Sequence, residues 1–325
     1  MTTIQDIAKL VGVSVATVSN ALNGKRNVGP SIRQKILKAA RELGYRPNRA
    51  AQTMRTGHTK AIGLVLPDLT NPFFPELAQS VESTARKAGL LVCLIDSQGS
   101  TQGESDGFEL LTTHTVDGII WCPLGRHLPA AIKGNPKPVV LIDRPRAGFD
   151  VVHSDYLMGG RLLAEYALRM GHSKIGLLSG PQNLESARLR REGFVSAFPD
   201  EIKVIWEAFV PFNGELPEDA VRALSTRKNA TLIVAGNDLI AISAVHCLGQ
   251  LGLKVPNDVS VTGFDNIKWT DVVTPRLTTI AQPIGAIGSK AVELLRERMA
   301  DSNAVRRRTV FDVTLIERDS VRKLK

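Results

Sequence analysis

Apolar positions in the first 45 residues recur at helical spacing. Ile4, Ile7, Ala8 and Val11 form one stripe, which predicts a short helix beginning after Thr3. Thr3 and Asp6 stand at the N-cap and N3 spacing of a capping box, and Gly12 is a natural stop. Ser14 is placed to cap a second helix running through about Leu22, with Val18, Ala21 and Leu22 inward, and Asn23-Gly24 breaks it. A third helix is expected from near Ser31, with Ile32, Ile36, Ala39, Ala40 and Leu43 on one face and Gly44 at its end. From Lys60 the pattern changes to short Val/Ile/Leu runs alternating with helical segments. The runs AIGLVLPD, LLVCLID, GIIWCP, PVVLIDR, VVHSD, KIGLLSG, TLIVAGND and VSVTGFD read as strands. Near-continuous apolar strands alternating with helices predict parallel sheets covered on both faces. The segment from Gly159 to Gly171 reads as a helix leading from one sheet to a second.

Two helices joined by a short Gly-containing turn, with a third covering them, make a helix-turn-helix head. In that geometry the second helix enters the major groove and its first residues reach base edges. Val15 and Ala16 are not needed for the inward stripe and suit contact with thymine methyl groups. Asn20, one turn on, has the donor and acceptor that match adenine. Ser14 and Thr17 suit phosphate contacts, which position the helix without reading sequence. Charge sharpens this reading. The net charge is +9, and residues 1–60 hold eleven of the 41 Lys and Arg but only two of the 32 acids. The remainder is balanced, thirty against thirty, so the whole excess sits in the head. A basic head on a neutral body is the footprint of a polyanion-binding protein.

With 325 residues, the chain suits two or three domains. No apolar run is long enough to span a membrane. The opening MTTIQDIAKL lacks the basic-then-apolar pattern of a secretory signal. Three scattered cysteines, Cys93, Cys122 and Cys247, argue against a disulfide framework or zinc site and suit a reducing cytoplasm. The six histidines have no metal-ligand spacing, and no GxSxG, Walker A or HExxH motif occurs, so neither metal, cofactor nor enzymatic activity is expected.

Ligands of doubly wound sheets lie beyond the carboxyl ends of the strands. Those positions hold Asp68 to Phe74 (with Asn71, Phe73 and Phe74), Asp143-Arg144, Asn237-Asp238, Phe264-Asp265 and Gln282. Arg190 lies in the helical stretch ARLRREGF and Phe212 in VPFNG. Planar rings with carboxylates, amides and guanidinium groups are what a sugar requires, since its hydroxyls donate and accept while its C–H face packs on rings. Singly, each has a plainer reading: Asp143-Arg144 as a local ion pair, Asn237-Asp238 as a helix cap, Phe73 and Phe74 as core. Asp143 and Asp265 also have the chemistry of an acid/base pair on a sugar, a reading that hydroxyl recognition displaces.

The stretch TIQDIAKLVGVSVATVSNALNG resembles the N-terminus of the lactose/galactose repressor family. The resemblance runs on through VGPSIRQKILKAARELGYRPNRAAQTMRTGHTKAIGLVLPDLTNPFF and along nearly the whole chain. It implies a small all-α helix-turn-helix head over residues 1–46, a hinge helix over 47–58, and an α/β effector-binding and dimerisation body over 59–325. The body would be two Rossmann-like lobes of the periplasmic-binding-protein type. The lobe next to DNA would take about 59–157 and 286–316, the far lobe about 158–285 and 317–325. In the hinge, Met54 stands where the family has a Leu wedge, with Ala51 and Arg55 beside it, and such a wedge opens the minor groove. Asn71, Phe73, Phe74, Asp143, Arg144, Arg190, Phe212, Asn237, Phe264, Asp265 and Gln282 match polar and aromatic positions of ribose-binding relatives, and Cys122 stands where those have Asn. The implied function is that of a sequence-specific transcriptional regulator, a repressor binding a palindromic operator as a homodimer under control of a sugar or sugar derivative. A transport-type sugar-binding protein, a sugar-processing enzyme and an architectural DNA-binding protein are the alternatives. The basic head opposes the first, the missing motifs the second, and the sensor-like body the third.

Overall fold

The computed structural model describes residues 2–22, 27–45, 57–113, 116–125, 128–132, 135 and 137–324. The chain divides into two compact units, Met1–Thr59 and Lys60–Lys325.

The first unit contains α1 (Ile4–Val11), α2 (Val15–Leu22) and α3 (Pro30–Glu42). The capping box at the start of α1 is formed: the Thr3 hydroxyl accepts from Asp6 N–H, and the Asp6 carboxylate accepts from Thr3 N–H at 2.8 Å. Gly12 ends α1 in the left-handed region (φ +72°), where a side chain would be strained. Its N–H donates to Ala8 O, which turns the chain into α2. Helix α3 begins at Pro30, one residue earlier than expected, because proline at N1 has no N–H to leave unsatisfied. Ile7, Ala8, Val18, Ala21, Val28, Ile36, Ala39 and Ala40 form the core. Ile32 and Leu43, expected inside, are 41% and 36% exposed, because α3 buries a narrower stripe than its sequence offers.

The second unit has two six-stranded sheets. The first takes β1 (Ala61–Leu66), β2 (Leu91–Asp96), β3 (Gly118–Trp121), β4 (Val139–Ile142), β5 (Asp150–Ser154) and β11 (Arg308–Phe311), in the order β11-β5-β4-β3-β1-β2. All of its pairings are parallel. Helices α4 (Phe73–Lys87), α5 (Thr101–Thr112) and α10 (Ile284–Ala300) belong to this lobe. The second sheet takes β6 (Lys174–Ser179), β7 (Lys203–Phe209), β8 (Leu232–Ala235), β9 (Ser260–Asp265), β10 (Thr278–Ala281) and β12 (Thr314–Ile316), in the order β12-β10-β9-β8-β6-β7. Helices α6 (Tyr156–Arg169), α7 (Glu185–Ala197), α8 (Glu218–Thr226) and α9 (Asp238–Gln250) belong to it.

The chain passes between the lobes three times: from β5 to α6, from β10 to α10, and from β11 to β12. The third passage corrects the expected lobe boundary. Thr314–Ile316 pairs antiparallel with β10 in the second sheet, so the first lobe ends before 314 and not at 316. Four strands were absent from the apolar runs: β7, β10, β11 and β12. Strand β7 carries Lys203 and Glu207 and lies at an edge, so only part of it is buried. Strands β10 and β12 are short and threonine-bearing, and β11 is another edge strand that opens on Arg308.

Candidate functional site

In the first unit, the Ser14 hydroxyl accepts from Thr17 N–H at 3.1 Å and lies 2.8 Å from the Thr17 hydroxyl, which caps α2. Ser14, Val15 and Ala16 are exposed, while Thr17 and Asn20 are half-buried. Ala16 and Asn20 are four residues apart and share a face, because the inward side of α2 is spent on Val18 and Ala21. A small, exposed, partly apolar patch is thus framed by hydroxyls. Ala51, Met54 and Arg55 lie outside the described residues.

In the second unit, the carboxyl ends of the strands of both sheets converge on one polar network. Strand β4 ends in Asp143, which takes a left-handed φ of +70°. Its carboxylate receives the Tyr156 hydroxyl and lies 3.3 Å from Arg144 Nε. The Cys122 thiol, just beyond β3, points at it from 3.9 Å. Arg144 also donates to the Pro123 carbonyl. That loop is pinned in turn by the buried Glu104, whose Oε1 accepts from Trp121 Nε1 at 2.7 Å and Leu124 N–H at 2.9 Å.

In the second sheet, parallel pairing sets Asp265 at the end of β9 against Ala281 of β10, and Gln282 follows. Gln282 Nε2 donates to Asp265 Oδ1 at 2.7 Å, and Arg190 Nη2 reaches the same oxygen at 3.0 Å. Arg190 Nη1 donates to Gly236 O. Its guanidinium lies 4.0 Å from the Phe264 ring centre, 5.1 Å from Tyr156 and 5.3 Å from Phe212, an aromatic box around one cation. The box depends on Gly159, where a Cβ would stand 2.5 Å from the Phe264 ring. Asn237 caps α9, with its Oδ1 accepting from Ile240 N–H, and its Nδ2 donates to Phe212 O. It positions the ring as much as it offers an amide.

Burial shapes the protonation of this network. Asp265 is pushed up to about 6, chiefly by desolvation, with Arg190 and Gln282 opposing. Burial likewise raises the Tyr156 phenol, which the neighbouring Asp143 charge reinforces, and raises the Cys122 thiol, which stays a thiol.

Asn71, Phe73 and Phe74 stand apart from these contacts. Asn71 Oδ1 accepts from Phe73 N–H at 3.1 Å, and the two rings meet edge to face at 5.2 Å within the first-lobe core. Ile267 of the second lobe joins that cluster, so the rings lie toward the junction of the lobes. Tyr156 was missed by sequence reasoning. It lies two residues past β5, a strand end whose side chains were not weighed. Asp238, read together with Asn237, is fully buried: it accepts from Thr279 Oγ1 at 2.6 Å and Ile267 N–H at 2.9 Å, tying α9 to β10.

Among the described residues no cluster of His, Cys, Asp and Glu is placed to hold a metal, and no helix is long and apolar enough to cross a membrane.

Comparison with known proteins matches residues 3–48 to the profile of bacterial regulatory proteins, lacI family, and residues 164–321 to that of the periplasmic binding protein-like domain. The ribose operon repressor of Escherichia coli (strain K12) is 33% identical over 98% of this chain and 100% of its own length. The lac repressor dimer bound to operator and the anti-inducer ONPF superposes with a TM-score of 0.87 at 26% identity, covering 99% of each chain. The transcriptional regulator CelR in complex with cellobiose gives 0.74 at 26% identity, over 98% of this chain and 100% of that one. These relatives are transcriptional regulators rather than enzymes. With its helix-turn-helix unit, its paired parallel sheets and this full-length likeness, the chain belongs to the lacI family of bacterial regulatory proteins and is an effector-controlled, DNA-binding transcriptional repressor.

Proposed function

We propose that two copies of this chain bind a palindromic operator as a homodimer, and that a sugar held between the lobes changes operator affinity. Helix α2 enters the major groove, with Val15 and Ala16 on thymine methyl groups, Asn20 on adenine, and Ser14 and Thr17 on phosphates. Ala51, Met54 and Arg55 serve the hinge, Met54 as the minor-groove wedge. The basic excess of the first sixty residues supplies affinity independent of sequence.

The observation that carries the effector reading is the Arg190–Asp265–Gln282 cluster under Phe264, Phe212 and Tyr156, facing Asp143, Arg144 and Cys122 from the other lobe. These groups donate and accept at fixed positions beside flat apolar faces, and a sugar uses both. Asn237 orients the Phe212 end, and Asn71, Phe73 and Phe74 contribute from the first lobe. Because the set is divided between lobes, a ligand favours the closed arrangement by its differential affinity, and DNA must alter ligand affinity by the same factor.

Two of the edge strands, β2 and β7, support dimerisation. Leu91 and Leu94 on β2 are 50% and 42% exposed, and Val204 and Phe209 on β7 are each 37% exposed. Bare apolar edge strands are ordinarily covered.

The test is a thermal-shift screen of pentoses, hexoses, polyols and their phosphates on the full chain, followed by operator titration with each hit. A sugar that stabilises the chain and shifts operator affinity supports the reading. Sugars that bind without moving operator affinity, or the absence of any hit, would sink it.

A further inference from the structure

A buried carboxylate stands behind the first-lobe side of this network. Glu104 on α5 is fully buried, on the same face of the helix as Phe108 and Leu111. Two glycines let α5 lie close to the end of β2: a Cβ at Gly103 would stand 2.7 Å from Ser97 O, and one at Gly107 2.5 Å from Ile95 Cγ2. Glu104 and Phe108 grip one indole. Glu104 Oε1 accepts from Trp121 Nε1, and the Phe108 ring meets the indole edge to face at 5.0 Å. The same Oε1 accepts from Leu124 N–H, while Oε2 accepts no hydrogen bond among the described residues. A carboxylate kept in an apolar layer with one oxygen idle is a cost that packing alone does not explain.

The groups that Glu104 holds lead into the site. Trp121 ends β3, and Cys122 follows it, with its N–H on Val65 O and its thiol toward Asp143. The next three residues are tied from two sides. Leu124 N–H is held by Glu104, and the Pro123 and Gly125 carbonyls by Arg144 and Arg146. Arg144 pairs with Asp143, and Arg146 lies 5.5 Å over the Trp121 ring. The Glu104 charge is felt on both sides of this loop. Burial lowers the Arg146 guanidinium and Glu104 opposes that, whereas burial raises the Cys122 thiol and Glu104 adds to it. A charged acceptor makes shorter and stronger hydrogen bonds than a neutral one. One carboxylate oxygen therefore fixes a strand end and a loop together, and the loop carries the backbone anchor of Arg144.

Resting on the sugar reading above, we propose that Glu104 is a positioning residue for the first-lobe half of the sugar site. It touches no sugar itself. Through Leu124 it holds the Pro123 carbonyl where Arg144 meets it, and through Trp121 it holds Cys122 beside Asp143. Loss of Glu104 frees the loop, and the Arg144–Asp143 pair then no longer meets a sugar hydroxyl at a fixed position.

The test is alkylation of the full chain with iodoacetamide, read at each cysteine by peptide mass spectrometry, together with titration of the pentoses and hexoses of the thermal-shift screen. A buried thiol reacts only when its surroundings open. In Glu104→Ala, Cys122 should react about tenfold faster, the change expected when buried N–H groups lose their acceptor. Cys247, buried in the second-lobe core, should keep its rate, which a general loss of stability would raise as well. Sugar affinity should fall by a similar factor at a temperature well below the variant's melting point. Glu104→Gln keeps an oxygen for both donors, and both readouts should stay within about threefold of the parent. An unchanged Cys122 rate or sugar affinity in Glu104→Ala, a parallel rise at Cys247, or a Gln variant that loses sugar affinity overturns the inference and leaves the sugar reading standing. If no sugar binds the parent chain, the sugar reading falls, and the alkylation rates still decide whether Glu104 holds the loop.

Discussion

The Tyr156 hydroxyl, on the first turn of a second-lobe helix, donates to the Asp143 carboxylate at the end of a first-lobe strand. Both are buried, and the bond crosses between lobes that the chain itself joins only by its three passages. Tyr156→Phe keeps the ring against Phe264 and Arg190 but leaves Asp143 short of a donor. Losing one partner of a buried group costs about 1–3 kcal/mol. Urea unfolding should show a loss in that range, and the variant's affinity for the effector should fall with it. Unchanged stability and affinity would mean that the bond is incidental.

Arg190→Ala removes the cation from the box and leaves Asp265 buried with Gln282 as its remaining described partner. Breaking a buried pair from one side costs about 3–5 kcal/mol. Effector response should disappear while operator binding persists, because the residues proposed to read DNA lie in the other unit. Operator titration with and without effector measures both, and a retained response would remove Arg190 from the site.

Asn20→Ala should lower discrimination between the operator and altered operators by about 1–3 kcal/mol while keeping nonspecific affinity. Equal losses on every sequence would instead mark Asn20 as a positioning residue.

Operator affinity should fall linearly on a log–log plot against salt, with a slope near the number of phosphates neutralised. A flat dependence would contradict the role given to the basic first sixty residues.

Acid should weaken the second unit through two buried histidines. His172 is held between Thr231 Oγ1 and Arg322 O, and His153 donates to Ser154 O while accepting from Arg308. Desolvation holds both below the ordinary 6.5. A depressed folded value means that the unfolded chain binds the proton first. The stability these residues contribute is therefore complete above about 6.5 and is lost as pH falls through their folded values. In urea melts from pH 7.5 to 5, His172→Gln should flatten the decline; an unaltered slope would exclude His172 as its source.

Local rules carried the reading of the head. Capping box, stop glycine and apolar stripe all act within a few residues, so α1 and α2 were legible to the residue, and the basic excess pointed to DNA. The strand-end rule singled out Asp143, Asp265 and Gln282, and Arg190 was noted in a helical stretch. It did not reveal that Arg190 and Gln282 share one oxygen of Asp265, since that depends on the parallel register of β9 with β10. Nor did it find Tyr156, whose partner lies across the lobes.

The one-dimensional pattern therefore decides element type, fold class, the placing of charge and the identity of most polar groups, because each is governed by neighbours a turn or a strand apart. Pairing order decides the rest. Thr314–Ile316 carries no signal of the sheet it joins; it lies in the second lobe because β10 offers it an open edge. Arg146 of the first lobe and Arg188 of the second, far apart in sequence, line one cavity only because the chain crosses between its two sheets.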